Sequence, residues 1–444
     1  MMTRRSARRR SREARARPPG RHPVRRRWLV LALVLALGPA ARGDDTVRLT
    51  LDEALAGLRR QNPELLAGAL HVRAAHGDVV TAGLLPNPTL SAGVGNFPLG
   101  RTNPSGIGVG DTVVSQVGLE EEVLLPGKRG ARLAAAHRRE DAAAAERADL
   151  ERRLTFELRA RFVALLEASE RLRLARENLD RYRETVRVSE ARAREGDISH
   201  AELDKIALEQ RGFEREVADA EGDRREAVAA LLPLVGVEAA DVEPVGTLAL
   251  PPAPEDAAHL ASEALERRPD LRAAERAEEA AEAAFRLARA ERWPNPTLGV
   301  QYTHSEFQVS GDLANQVGTT VSVPLPVFNR NQGEIERAEA EALIARHEVE
   351  KLRLAIPQEV RSAVASYTIA RERVMRFEGA FLRQADEARH AAEVSFREGA
   401  VSLLEFLEAE RTYVQTEREH LAALRDLNTA AFDVTRAAAL EVSP

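Results

Sequence analysis

Leu85-Pro86-Asn87-Pro88-Thr89-Leu90 returns as Trp293-Pro294-Asn295-Pro296-Thr297-Leu298, about two hundred residues later. Asn62-Pro63-Glu64-Leu65 returns as Arg268-Pro269-Asp270-Leu271, and Glu195-Gly196 returns as Glu398-Gly399. Leu125-Pro126-Gly127-Lys128-Arg129 has a looser echo in Leu325-Pro326-Val327-Phe328-Asn329-Arg330. Each copy reads in one order: helix, two short strands, then a very long helical hairpin. The period far exceeds the roughly 20–50 residues of a solenoid repeat, so a whole structural unit has been duplicated in tandem.

Working outward, the first copy spans 44–250 and the second 255–444, joined by the linker Pro251-Pro252-Ala253-Pro254. Residues 50–84 carry helical spacing broken at Asn62-Pro63. Strand pairs follow over 88–124 and 296–324, with Pro98 to Asp111 forming a loop rich in Gly, Pro and Asn. Leu298, Val300 and Tyr302 share one face of their strand, opposite Thr297, Gly299, Gln301 and Thr303. Val317, Thr319, Val321 and Val323 likewise oppose Gln316, Gly318, Thr320 and Ser322. Strands of about 9–11 residues, apolar outward and small-polar inward, have the length and pattern of tilted transmembrane strands. A half-buried strand of an ordinary sheet fits any one of them, but less well four in matched pairs.

Long helical hairpins come next, over 128–235 and 332–436. Lys128 to Glu195 holds no proline and one glycine, Gly130. As one helix it would extend roughly 100 Å. The returning helix places Leu203, Ile206, Gln210, Phe213, Val217 and Ala220 at coiled-coil spacing. The second hairpin is expected to be interrupted near Pro357. Helices this long need neighbours along their whole length, and four strands cannot close a barrel, for which about eight are the minimum. Both features require oligomeric closure.

Residues 1–43 read as a Sec-type export leader: a basic stretch ending in Arg25-Arg26-Arg27, an apolar core from Trp28 to Leu37, then small residues at Ala41 and Gly43. An apolar run of about 10 residues is too short to span a bilayer. Without that segment the chain has 51 basic and 69 acidic residues and a formal charge of −18. Such a balance disfavours nucleic acid as a partner and suits a lumen that attracts cations. Solvated acidic helix faces account for most of these carboxylates. The absence of cysteine excludes disulfides, thiolate metal sites and lipidation at an N-terminal cysteine. Ten histidines are scattered, none with zinc-site spacing. No phosphate-binding loop, nucleophile elbow or acid–base pair is present, so neither a cofactor nor enzymatic activity is expected.

The leader, the duplicated helix–hairpin–long-helix unit and the glycine turns resemble the TolC family of outer-membrane efflux channels, over essentially all of 46–436. Leu85-Pro86-Asn87-Pro88, Leu125 to Arg129 and above all Pro324-Leu325-Pro326-Val327-Phe328-Asn329-Arg330-Asn331-Gln332-Gly333 resemble the outer-membrane components of cobalt–zinc–cadmium efflux systems. The resemblance implies an α+β membrane channel. Three chains, each giving four transmembrane β-strands and two coiled-coil hairpins, would form a 12-strand β-barrel and a 12-helix α-barrel tunnel. It also implies residence in outer-membrane lipid and partnership with a periplasmic adaptor and an inner-membrane pump of the resistance–nodulation–division class.

Site residues follow from the same resemblance. A glycine, a hydroxyl three residues on and an acid at six give Gly196, Ser199, Glu202 and Gly399, Ser402, Glu405 as tunnel-tip turns. Gly196, Ser199, Gly399 and Ser402 are implied adaptor contacts, though helix capping alone also explains the serines. Glu405 and Glu408 match an acidic ring at the tunnel's periplasmic entrance, while an ordinary solvated helix face is the plainer reading. Where the family often has a gate-closing arginine, two residues after the second tip glycine, this chain has Val401; Arg397 and Arg411 are the nearest substitutes. Two other readings stay open: a conduit for drugs or for type I protein secretion, and a periplasmic coiled-coil adaptor or structural protein.

Overall fold

The computed structural model describes residues 46–101, 105–306 and 313–440. The expected leader lies outside the described residues. The chain opens with β1 (Thr46–Thr50), α1 (Leu51–Gln61) and α2 (Pro63–Gly83). Thr50 caps α1 through a capping box with Glu53, and Asn62 caps α2 by accepting from the amides of Glu64 and Leu65 at 3.0 Å. Two strands follow, β2 (Thr89–Gly95) and β3 (Val114–Glu122), then α3 (Lys128–Glu195), α4 (His200–Val235) and β4 (Asp241–Val245). The second copy supplies α5 (Ala257–Arg267), α6 (Pro269–Ala290), β5 (Thr297–Ser305), β6 (Asn315–Ser322), α7 (Gln332–Arg376), α8 (Leu382–Arg397) and α9 (Leu403–Ala438).

The four longer strands form one antiparallel sheet in the order β2-β3-β5-β6. Its register puts Leu90 opposite Leu119, Leu119 opposite Val300, Val117 opposite Tyr302, and Tyr302 opposite Val317. These residues share a face, and it faces outward: Leu90 is 72% exposed and Val317 73%. On the other face run Ser91, Gly118, Gln301 and Gly318, with Gln301 donating to Gln116 at 2.6 Å. The alternation read from the sequence therefore survives in three dimensions as one apolar and one small-polar surface. Among the described residues, both edge strands, β2 and β6, are unpaired on their outer sides.

The recurring sequence motifs lock the sheet to the helices. The amide of Leu125 donates to Asn295 Oδ1 at 3.2 Å, and Asn295 donates to Glu122 at 2.5 Å. Lys128, buried at the start of α3, donates its ammonium to the Trp293 carbonyl, and burial pulls its pKa down. Arg129 reaches the Gly83 carbonyl at 2.9 Å, and Asn331 reaches that of Ala288 at 2.9 Å. The first copy's turn is thus pinned by the second's at Asn295 and Trp293, while Arg129 and Asn331 each bind within their own copy.

Apolar residues are strung along the helices in separate clusters. Leu58, Leu158, Phe162, Leu165, Leu231 and Val242 form one, from α1, α3, α4 and β4. Leu260, Ile356, Val360, Tyr367, Leu427 and Val434 form its counterpart, from α5, α7 and α9. A third joins the four hairpin ends: Tyr182, Ile206, Phe213, Phe396, Phe406 and Leu407.

Two features differ from the sequence reading. Pro357 does not interrupt the second hairpin; α7 runs through it. Ile356 and Val360 on either side are fully buried, and that packing outweighs a proline cost of about 3 kcal/mol. The irregularity comes at Phe377–Phe381, a π-helical turn in which Phe377 packs on His420 at 5.9 Å. The parallel pair β1–β4 was also not anticipated, because each strand has five residues and its partner lies almost two hundred residues away.

The copies solve one problem with different chemistry. Asn62 and Arg268 share a backbone conformation, φ −62° ψ 122° against φ −60° ψ 125°. Arg268 has no oxygen with which to cap α6. Its guanidinium, 2% exposed, instead bridges Asp270 at 2.5 Å and Glu359 at 2.6 Å. Removing it would leave Asp270, in a half-dry setting, with the longer Arg152 contact at 3.5 Å as its remaining ion pair among the described residues. Arg268→Ala should therefore cost about 3–5 kcal/mol, the toll of breaking a buried ion pair. Denaturant unfolding of the purified variant checks this; a loss under about 1 kcal/mol would mean the pair is solvated.

Candidate functional site

Both tip turns are built from the glycine outward. α3 ends at Gly196 with φ 88°, and α8 at Glu398–Gly399, Gly399 having φ 76°. These left-handed values disfavour any residue with a Cβ. In each turn the next amide reaches back over the helix end: Asp197 donates to the Arg192 carbonyl at 2.9 Å, and Ala400 to that of Ser395 at 2.8 Å.

The returning helices start with matching capping boxes. Glu202 N–H donates to Ser199 Oγ at 3.2 Å, and Ser199 N–H to Glu202 Oε2 at 2.9 Å. Glu405 N–H donates to Ser402 Oγ at 3.3 Å, and Ser402 N–H to Glu405 Oε2 at 3.2 Å. The Ser199 amide, with its hydroxyl, holds the Glu202 carboxyl below the usual carboxylate range. Both serines and both first-turn glutamates thus have a capping duty. Glu408 lies one turn further along α9, exposed like Glu405, and its carboxylate makes no ion pair among the described residues.

The sequence reading missed what joins the two turns. Val401 and Ile198, each two residues past its tip glycine, are partly buried against the third apolar cluster. The residue standing where the family often has arginine is therefore an apolar anchor. Of the substitutes, Arg397 is taken up by Glu393 on its own helix at 2.5 Å. Arg411 does cross between hairpins, gripping Glu209 of α4 at 2.9 and 2.5 Å. Arg418 meets Glu216 in the same way, each residue seven past its counterpart and so on the same helix face. The closest link at the tip comes from the first hairpin: Arg192 donates to the Phe396 carbonyl at 2.8 Å and stacks on its ring, which lies flat on Phe406. Spacing along one helix gives no sign of such cross-hairpin partners.

Above the tip lies a charge network that spacing also concealed. Glu410, 8% exposed, faces Arg389 at 3.6 Å, and Arg389 also binds Asp386 at 2.9 Å and Glu393 at 3.1 Å. Arg389 and Arg181 both stack over Tyr413, whose hydroxyl donates to Glu417 at 2.6 Å. Burial pushes the Glu410 carboxyl up; Arg389 and Arg181 pull it back only in part. The histidines are less scattered than their spacing implied. His76 Nδ1 lies 2.9 Å and His137 Nδ1 3.6 Å from the two oxygens of Glu140. Even so, no group of three His, Cys, Asp or Glu able to hold a metal ion occurs among the described residues. No described helix is long and apolar enough to cross a membrane, which says nothing of a β-barrel.

The outer membrane efflux protein family matches this chain over residues 54–237 and 260–439, one stretch in each copy. The chain belongs to that family. Among its relatives, the cobalt-zinc-cadmium resistance protein CzcC of Cupriavidus metallidurans is 30% identical over 393 residues, covering 87% of this chain and 89% of CzcC. The pyoverdine export outer membrane protein OpmQ of Pseudomonas aeruginosa is 28% identical over 380 residues, 82% of this chain and 79% of its own. The fold matches the Campylobacter jejuni CmeC outer membrane channel with a TM-score of 0.73 at 16% identity, covering 87% of this chain and 85% of CmeC. As an efflux protein of this family the chain is a channel component and not an enzyme.

The Glu410 network makes a pH-dependent prediction. A carboxyl raised above its unfolded value is favoured in the fold while protonated, and that stability is lost as pH rises through its folded pKa. Glu410→Gln should match wild type in acid and become relatively more heat-stable towards neutral pH. Thermal unfolding of both proteins from about pH 4.5 to about pH 7.5 reads the gap; a constant gap would mean Glu410 stays ionised throughout.

Proposed function

We propose that this efflux protein is the outer-membrane duct of a three-part pump, trimeric when assembled, and that its cargo is divalent heavy-metal cations. The observation that carries the duct reading is the four-stranded sheet with its exposed apolar face and two free edges, set at one end of the long hairpins. Lipid leaves no water to satisfy an open strand edge, so β2 and β6 need partners, and further copies of this chain supply them. Three copies give twelve strands and twelve hairpin helices, enough for a barrel continuous with a tunnel. On this reading the sheet sits in the outer membrane, the leader directs export, and the hairpins cross the periplasm.

The turns at Gly196, Ser199 and Glu202 and at Gly399 and Ser402 then face the periplasmic adaptor, beyond which sits the inner-membrane pump. Two exposed acids per chain, Glu405 and Glu408, would form a ring of six carboxylates at the tunnel entrance, concentrating cations by their field. The metal assignment is supported by the identity with CzcC and by the Pro324–Gly333 motif. The similarity to OpmQ favours a second reading, export of an organic compound through the same duct.

Glutamine at 405 can still close the capping box, so Glu405→Gln combined with Glu408→Gln removes charge while sparing the turn. The double variant should lose cation selectivity in planar bilayers. Unchanged reversal potentials would remove the acidic ring. In the native host, deletion of the gene should bring hypersensitivity to one or more of zinc, cobalt, cadmium, nickel and copper, restored by a plasmid copy. Sensitivity to organic compounds with normal metal tolerance would keep the duct and discard the metal cargo.

A further inference from the structure

One cavity has a lining at odds with the rest of the chain. Although acids outnumber bases over residues 44–444, its wall holds, among the described residues, Arg59, Arg152, Arg159, Arg267, Arg272 and Arg436 and a single carboxylate, Glu151. It lies where the two copies meet, between the ends of α1 and α5, the start of α6, the middle of α3 and the end of α9, and encloses about 1020 Å³.

Four of these arginines are already neutralised. Arg59 pairs with Glu151 at 3.0 Å, Arg152 with Asp149 at 2.7 Å, Arg267 with Glu263 at 3.2 Å and Arg436 with Asp433 at 2.6 Å. Two are not. Arg159 lies over the Phe432 ring at 5.5 Å, and its buried Nε has no hydrogen-bond partner among the described residues. Arg272, which is exposed, reaches among the described residues only a main-chain oxygen, the Glu266 carbonyl at 3.0 Å. Burial and the like charge of Arg59 pull the Arg159 guanidinium down, with Asp52 opposing them. An unpaired, half-buried guanidinium is costly, and a bound anion relieves that cost.

We infer that this cavity binds an organic dicarboxylate, with Arg159 and Arg272 each taking one carboxylate. A flat guanidinium fork matches a carboxylate in two parallel hydrogen bonds. Phe156 and Phe432 line the same wall, under Arg436 and Arg159, and hold those guanidinium groups in place. Arg152 and Arg159 stand 24 and 31 residues along α3 from Lys128 at the sheet junction. That places the cavity about 36–47 Å from the sheet, beyond the reach of lipid headgroups. The ligand therefore comes from the periplasmic side, either as a free organic acid or as a carboxylate-bearing peptide of the cell wall. The cavity itself needs only the fold of one chain; its distance from lipid rests on the proposed membrane seat of the sheet.

Calorimetric titration of the purified full chain in detergent tests this, with glutarate as the free acid and a soluble muropeptide as the wall fragment. Saturable binding of either supports the site, and which one binds identifies the source. Arg159→Gln with Arg272→Gln should weaken it at least tenfold, whereas Arg187→Gln, elsewhere on α3, should not. Without any substitution, raising salt from about 50 mM to about 500 mM should also weaken wild-type binding. No saturable heat with either probe, or equal affinity in the double variant, would overturn the site. Neither result depends on transport, so failure here would leave the efflux reading untouched.

Discussion

A helix of 68 residues exposes roughly 100 Å of flank to be covered, and most of this molecule is arranged around that demand. α3 packs against α2 and α6 near the sheet, α1, α4 and the end of α9 in the middle, and α4 and the first half of α9 towards the tip. No single globular core could do this. The apolar residues are therefore divided into clusters, two counterparts that share Leu248 and tie α3 and α7 to their own partners, and a third at the hairpin ends. Charged residues fill the surface between clusters as intrahelical pairs such as Arg173 with Glu170 and Glu177. Each pair contributes little, but together they keep the exposed faces helical and soluble.

Duplication supplies the second half of the scaffold, and its small asymmetries carry information. The Asn62 and Arg268 corners have the same backbone but opposite solutions: a side-chain cap in one, a buried ion cluster in the other. α3 is one regular helix, whereas its counterpart carries a π-helical turn between α7 and α8. The arginine-lined cavity belongs to neither copy, because its wall needs residues from both. At the tip the copies converge again. Two left-handed glycines and two capping boxes are held together by Phe396 stacked on Phe406 and by Arg192 closing over them. Val401 joins that apolar cluster, so the tip is fastened by packing and by Arg192, not by an arginine at its own second turn.

The sheet end obeys a different constraint. An apolar sheet face with two unpaired edges is unstable in water and incomplete in lipid. The turn motifs at Leu125–Arg129 and Trp293–Leu298 hold this sheet in a fixed relation to the helices, through Asn295 and Lys128. That rigid junction is what would let a barrel and a tunnel share one axis.

Local chemistry in the sequence determined the duplicated unit, the helix ends at Gly196 and Gly399, the capping serines, and the two faces of each strand. These depend on neighbours within a few residues, where periodicity and φ preferences act directly. Contacts made across long separations were decided only by the tertiary structure. The β3–β5 pairing, the β1–β4 strands, the helix running through Pro357, the Arg411–Glu209 link and the burial of Glu410 all depend on a partner far along the chain. A residue type and its spacing limit what a side chain can do, but the backbone that arrives opposite it decides which of those things it does.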